Sequence, residues 1–553
     1  KKKKKKNEQR EDTLKRRICA INGTAVETSH VFISAFRYCK KKAMDYFGEK
    51  HISVKEDEVQ WIITVPAIWS EKAKGLMRQW AMQAKLCRPS VGSLPILTLE
   101  PERAKQTKLG VESISTESQL AITLEPECAS VCVMLEMKDK PNEMRFKAGD
   151  CYLMMDLGAG TADMVCHEII GPFEVREMIA SFGGPWGSGY IDKDVVTIFQ
   201  HLFGEKNMRE FQATRPHDYL HLLRNIENSK QRFFKMQKKT TGLHRIEIPY
   251  QFGQFMQQKF TENLEESVAK CQFLGEYGRG DNVHLFFLSS YFLEHEYDHE
   301  YLSLSCQLWA KLFDLRINEI LKKTNEMLLK NERILSGKLK YICLVGGFSQ
   351  SPYLQYKIRE HFKDRFMVVI PQRPILSVIQ GAAQLGRLLS FVTSRIVKYT
   401  YGAAGGFSIE EARAHPKVPK EHIEKYKYVD DINNQEWVGG CFRVFVNEDE
   451  EVKVDQVVEK TYSKRSKRKK NATVAIYRSK IKDPGISTGC KLLGKIKIPF
   501  PDDFNDVMDR FYVRFYFGEA MIRVTVKMKG KEYVENEVQF KYHFDDNHLD
   551  VIG

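Results

Sequence analysis

The segment that most narrows what this chain can fold into is Asp156-Leu-Gly-Ala-Gly-Thr-Ala-Asp163, which follows the β-rich run Cys151 to Met155 and precedes a second apolar run, Met164 to Ile170. Two strands joined through a glycine turn are predicted. Small residues at 158 to 160 let backbone N–H groups approach a phosphate closely, where a larger side chain would obstruct. Asp156, at a strand end, can hold Mg²⁺ through its water shell, while Thr161 and Asp163 can position an attacking water. A plain tight hairpin accepts the same residues, so the segment alone leaves both readings open.

Its surroundings read as α/β. Apolar residues from Val31 to Phe47 keep helical spacing up to Gly48, and Trp61 to Val65 is a strand closed by Pro66. Ser70-Glu71 then opens a helix. Long helical segments fill about 190 to 236 and 304 to 333. The buried strand Tyr341 to Val345 runs into Gly346-Gly347, and a helix starts at Pro352 with Ser351 as its cap. Beyond about Arg395 helical periodicity fades and strands alternate with turns, among them Cys441 to Val446, Thr473 to Tyr477, Phe511 to Phe517 and Met521 to Met528.

The motif resembles the second phosphate loop of the heat-shock/actin/sugar-kinase superfamily, and four further matches follow in the order that superfamily keeps. They are Val65-Pro-Ala-Ile-Trp69, Leu124-Glu-Pro-Glu-Cys-Ala129, Tyr341-Ile-Cys-Leu-Val-Gly-Gly-Phe-Ser-Gln-Ser-Pro-Tyr-Leu354, and Gly381-Ala-Ala383 before a helix. With Gly183-Gly-Pro-Trp-Gly-Ser-Gly-Tyr-Ile-Asp192 and Lys398-Tyr-Thr-Tyr-Gly402, they resemble the protein 12 branch of the 70-kDa heat-shock family, from about Ala20 to about Phe540. The resemblance implies a two-lobed, actin-like ATPase fold of ribonuclease H type over residues 1–392. A β-rich region resembling the substrate-binding β-sandwich, without a helical lid, is implied over 393–553. Residues 156–163 and 345–349 are expected to face each other across the cleft.

By the same resemblance, Asp156 and Asp163 organise the metal and its waters with Thr161, and Glu125 joins the magnesium-water network. Gly158, Ala159, Gly160 and Thr161 wrap the phosphates of ATP. Gly346 and Gly347 pass beneath the nucleotide near Ser349, and Glu227 and Lys230 grip adenosine; an exposed helical charge pair explains those two residues equally well. Departures are Ala159 in place of a glycine, Gln231 and Gln350 in place of arginines, and Ile375 in place of an aspartate. The lost planar Arg contacts weaken adenine stacking. The first phosphate hairpin is expected upstream of residue 20, so the chain, which opens on Lys1, reads as N-terminally truncated and as a weak ATPase at most.

The implied function is an ATP- and Mg²⁺-binding, chaperone-like stress protein acting on client peptides or proteins with co-chaperones. The alternative is an interaction or scaffold protein that keeps the fold with impaired hydrolysis. A sugar kinase shares the cleft but not the β-rich tail. The formal charge of +14 resembles a nucleic-acid signature, yet six basic residues lie in Lys1–Lys6 and six more between Lys464 and Lys470. Without them 74 basic residues face 72 acidic ones, and both runs read as solvated tail or loop, the second a long hairpin loop. No nucleic-acid partner is expected. Twelve scattered cysteines, no signal core and no run of about eighteen apolar residues point to a cytoplasmic protein with reduced thiols and no membrane span, nuclear entry resting on the basic runs alone. Arg279-Gly-Asp281 and the sequon Asn471-Ala-Thr473 are read as accidental.

Overall fold

The computed structural model describes residues 17–20, 23–87, 120–138, 140, 145–234, 242–260, 283–287, 300–386, 391–454, 456–517 and 520–533. Lys1–Lys6 and the tripeptide at 279–281 lie outside them.

The fold is mixed α/β with several sheets. A short hairpin, β1 (Arg17–Cys19) and β2 (Ala25–Glu27), leads into α1 (Thr28–Glu49). Next come β3 (Trp61–Val65), α2 (Glu71–Gln83), β4 (Leu120–Leu124) and α3 (Glu125–Lys138). The meander β5 (Cys151–Leu157), β6 (Ala162–Gly171) and β7 (Glu174–Gly184) precedes helices α4 (Gly189–Phe203), α5 (Glu205–Thr214) and α6 (Pro216–Arg232). Then follow β8 (Leu243–Ile248), α7 (Tyr250–Gln257), β9 (Val283–Phe287), β10 (Glu300–Ser305), α8 (Cys306–Lys330) and α9 (Glu332–Leu335). Strand β11 (Leu339–Val345) leads to α10 (Pro352–Phe362), β12 (Met367–Val369), α11 (Ser377–Leu385) and β13 (Val392–Ile396).

A seven-stranded sheet in the order β12-β11-β5-β6-β7-β13-β17 carries the molecule, its last strand being β17 (Glu451–Lys453). Every residue of β5 is buried, because alternate side chains enter different cores. Leu153, Met155 and Leu157 join Met164 and Leu344 in one core with α4, α6 and α8, while Tyr152 and Met154 join Val165 and Cys343 in the other with α2 and α3. Helix starts follow local chemistry: the hydroxyls of Ser70, Ser305 and Ser351 accept from Ala73, Leu308 and Leu354 N–H. Gly381–Ala383 lies inside α11 rather than before a helix. Its glycine lets α11 press onto α3, since a Cβ there would fall 1.7 Å from the Cys128 carbonyl oxygen.

The two glycine-bearing loops do not face each other across an opening. β5 and β11 are parallel neighbours with Asp156 opposite Val345, so residues 156–163 and 345–349 lie side by side at one end of the sheet.

Past β13 two antiparallel sheets share a core. One has the order β15-β16-β14-β19-β20 and the other β18-β21-β22-β23, with β14 (Thr400–Ser408), β15 (Lys427–Val429), β16 (Glu436–Val446), β18 (Val457–Tyr462), β19 (Asn471–Ser479), β20 (Lys491–Pro499), β21 (Phe511–Tyr516), β22 (Arg523–Met528) and β23 (Lys531–Tyr533). Phe445, Val474 and Ile496 of the first meet Val513, Phe515 and Val526 of the second. Two short helices, α12 (Ile409–Ala414) and α13 (Lys420–Tyr426), interrupt the strands where only strands were expected, the former through a Ser408–Glu411 capping box.

The basic run 464–470 is not a hairpin loop, because β18 pairs with β21 and β19 with β14 and β20: the run crosses from one sheet to the other. Its first half is tied down. Lys464 pairs with Asp506 at 2.7 Å, Arg465 lies over Trp437, and Lys467 N–H and the Ser466 hydroxyl both donate to Asp431 at 2.8 Å.

Arg395 of β13 is the main polar tie between the sheet and α3. Its guanidinium pairs with Glu127 of α3 and lies 3.7 Å from Glu177 of β7; all three side chains are largely buried. Burial opposes the arginine's charge, but Glu127 and Glu177 hold it well above its ordinary pKa. Arg395→Met leaves two buried carboxylates without a cation and is expected to cost about 3–5 kcal/mol in urea denaturation. Adding Glu127→Gln to that variant should restore part of the loss.

Candidate functional site

Asp156 is the penultimate residue of β5, Asp163 the second of β6, and the two buried side chains are direct partners across the antiparallel ladder. Between them Gly158 N–H donates to the Thr161 carbonyl at 2.9 Å and closes a four-residue turn. Neither Gly158 nor Gly160 has a positive φ, and a Cβ on Gly160 would meet nothing within 4 Å. The turn itself therefore does not require glycine there; what its absence of side chains provides is open space above the backbone. Ala159 is exposed, so its methyl is accommodated.

Glu125, the first residue of α3, completes a group of three carboxyls that perturb one another. Burial, then Asp156 and Asp163, push Glu125 up to about 8. Burial and then Asp163 push Asp156 up to about 7. Burial likewise raises Asp163, to about 6, against the Ile68 N–H at 2.8 Å, the Thr161 hydroxyl and the charges of Lys398 and Lys74. The second Asp163 oxygen, Oδ2, is buried without a hydrogen bond of good geometry. Among the described residues no three acidic, His or Cys side chains converge to ligate a metal directly.

Around the turn, the structure brings some expected residues together and separates others. Gly346, with φ +86°, sits where a Cβ would fall 2.5 Å from the Leu157 carbonyl and 2.6 Å from Asp156 Oδ1, so glycine is demanded by close approach to the aspartate. Gly347 is free of that demand: the nearest atom to its absent Cβ is Ile375 Cδ1 at 3.6 Å. Ser349 is fully buried and donates to the Val345 carbonyl at 2.6 Å, closing its own turn. Glu227 and Lys230 do not pair. Glu227 is exposed and accepts from Gln231 at 3.2 Å, whereas Lys230 is buried and reaches Asp192 at 2.5 Å and the Ser188 carbonyl at 3.3 Å.

Ser188 and Asp192 were not singled out from the sequence, although they lie in the Gly183–Asp192 phrase. That phrase braces the glycine turn: Ser188 N–H donates to the Gly158 carbonyl at 3.0 Å and Gly189 N–H to that of Ala159 at 2.9 Å. Gly187 packs so tightly that a Cβ would fall 2.1 Å from the Ala159 carbonyl oxygen. Lys230 therefore fixes the brace, through Asp192 and Ser188, behind the turn.

A cluster of acids thus lies at the end of a mixed sheet, beside a glycine turn braced by the Gly183–Asp192 phrase. No family model matches the chain. It is 26% identical to heat shock 70 kDa protein 12A of Homo sapiens over 505 residues, which cover 86% of this chain and 70% of that protein. The Mus musculus protein 12A is 26% identical over 550 residues, covering 93% and 75%, and Homo sapiens heat shock 70 kDa protein 12B is 26% identical over 480, covering 81% and 64%. The motif resemblance to the protein 12 branch of the 70-kDa heat-shock proteins is shown by these relatives. Among the described residues no helix is long and apolar enough to cross a membrane.

The three raised carboxyls give a signed pH dependence. Each holds its proton to a higher pH in the folded than in the unfolded chain, so the folded state binds more protons from about pH 4 to about pH 8. Their contribution is fully favourable below about pH 4 and declines as pH rises through 6 to 8. Asp156→Asn removes one charge from the cluster. Without ligands it should melt at a higher temperature than the unmutated chain at pH 8, the difference shrinking as pH falls and nearly vanishing below about pH 4, as differential scanning calorimetry would show.

Proposed function

We propose that the chain binds ATP with Mg²⁺ at the 156–163 turn, as the nucleotide-binding half of a chaperone-like protein of 70-kDa heat-shock type. In this reading residues 1–392 form a two-lobed actin-like unit and residues 393–553 a β-sandwich that takes client peptides. The observation that carries the reading is the buried pair Asp156 and Asp163, in register and crowded by Glu125, with an orphaned carboxylate oxygen beside a turn whose glycines serve no conformational need. Mg²⁺ bound with the nucleotide supplies neutralisation of phosphate charge and orientation of water.

The chain's own residues then divide the work. Backbone N–H groups of Gly158, Ala159 and Gly160 cradle phosphate, and Asp156 faces the metal's water shell. Asp163, fixed by the Ile68 N–H, orients water together with Thr161 and Glu125. Gly346 makes room for Asp156, and Gly347 leaves space for the nucleotide. Ile375, exposed and apolar, offers the base a nonpolar contact in place of a charged one. The departures Ala159, Gln350 and Ile375 favour the alternative, a scaffold that binds nucleotide and hydrolyses it poorly.

Thermal melting with and without Mg-ATP tests both readings. The unmutated chain should gain stability, Asp156→Asn should gain less, and Gly347→Val, which fills the space above Ile375, should not respond. Where turnover is measurable, Asp156→Asn should lower it by about 2–4 kcal/mol in barrier, the scale of one preorganised electrostatic group. A stabilised chain with no turnover selects the scaffold; equal shifts in all three proteins would place the nucleotide elsewhere.

A further inference from the structure

A cavity of about 240 Å³ opens where α2 and the segment after β13 meet the β-rich sheets, and none of Glu125, Asp156 and Asp163 lines it. Its walls carry four cations, Lys74, Arg395, Lys398 and Arg478, and two carboxylates, Glu71 and Glu177. Most of that charge is already matched. Lys74 donates to the Ala520 carbonyl at 3.0 Å and lies 3.4 Å from Glu71, which also accepts from Ile522 N–H at 2.9 Å. Arg395 is held by Glu127 and Glu177, and Glu177 accepts from Ile396 N–H at 2.9 Å.

Two cations remain. Among the described residues the Lys398 ammonium has no hydrogen bond or ion pair, and its side chain is half-buried in the cavity wall. Burial, then the neighbouring charges of Lys74, Lys480 and Arg478, draw it down to about 8, against the opposing pull of Asp163. Arg478 has no carboxylate partner among the described residues; it stacks on Tyr399 at 4.2 Å from the ring centre and hydrogen-bonds Tyr401. Lys480 covers the same ring at 4.3 Å but is neutralised by Glu448 at 2.8 Å.

A half-buried ammonium without a partner keeps part of its desolvation cost, which a bound anion offsets. We propose that the cavity is a binding site for a compact dianion of phosphate chemistry, held between Lys398 and Arg478. A dianion offers Lys398 and Arg478 one negative charge each, which a single carboxylate does not. The volume is below the roughly 300 Å³ at which drug-sized pockets begin, so the ligand is a free phosphate or a small phosphomonoester. The Tyr401 hydroxyl and the Ser181 side chain, both in the lining, supply neutral partners for remaining oxygens.

Calorimetric titration of the full chain with inorganic phosphate, and separately with glycerol 3-phosphate, tests this at matched ionic strength and pH 7, with acetate as the monoanion control. Saturable binding of either phosphate, lost about tenfold or more in Lys398→Met and in Arg478→Met, supports the proposal. Binding of inorganic phosphate alone identifies the free anion, and binding of the ester as well identifies a phosphomonoester. Lys398→Met removes a half-buried charge without a partner and should melt no lower than the unmutated chain, so a lost titration signal there is not misfolding. Phosphate binding that survives Lys398→Met would assign the anion to the 158–160 turn and overturn the proposal, as would acetate binding as tightly as phosphate, or no binding at all.

Discussion

Three carboxyls held within mutual reach at the end of a sheet set the terms for the rest of the molecule. Placing Asp156 and Asp163 opposite each other on two buried strands, with Glu125 at the head of α3, costs free energy at neutral pH, as their raised pKa values express. Such an arrangement stays in place only if its supports are rigid. The strands are pinned by cores on both faces, the turn by Ser188 and Gly189 N–H groups, and Asp163 by the Ile68 N–H. This is the usual division between a strained polar site and an over-determined apolar scaffold.

Much of this was legible in the sequence, because the informative signals are local. The unbroken apolar run Cys151 to Met155 marks a strand, which the structure buries on both faces, and the glycine turn between two aspartates marks where it ends. The likeness to the protein 12 branch was read from short ordered phrases and holds over most of the chain. What escaped was long-range pairing. Lys230 reads as the partner of Glu227 from helical spacing, but it turns inward to Asp192, 38 residues earlier. Arg395 finds Glu127 across 268 residues, and no local pattern announces that choice. The basic run 464–470 reads as a hairpin loop because strands flank it, and only the pairing of those strands in different sheets reveals a crossover. The two glycines 346 and 347 look equivalent in sequence; the backbone φ of one and the proximity of Asp156 separate them.

The β-rich region is tied to the seven-stranded sheet at two places. The chain leaves that sheet at β13, builds β14 to β16, and returns at β17, where Ser394, Arg395 and Ile396 pair with Lys453, Val452 and Glu451. β13 also runs parallel to β7 and carries Arg395 into the Glu127 and Glu177 pair. A rearrangement of the β-rich sheets must either keep this ladder, and so move β13 and Arg395 with it, or break the β13–β17 pairing and leave Arg395 with Glu127 and Glu177. The first alternative acts on α3, whose first residue is Glu125 and whose third is Glu127. One turn of helix thus joins the carboxyl cluster to the ion pair at the joint, so a displacement of Arg395 that drew Glu127 with it would shift the head of α3, where Glu125 crowds Asp156 and Asp163.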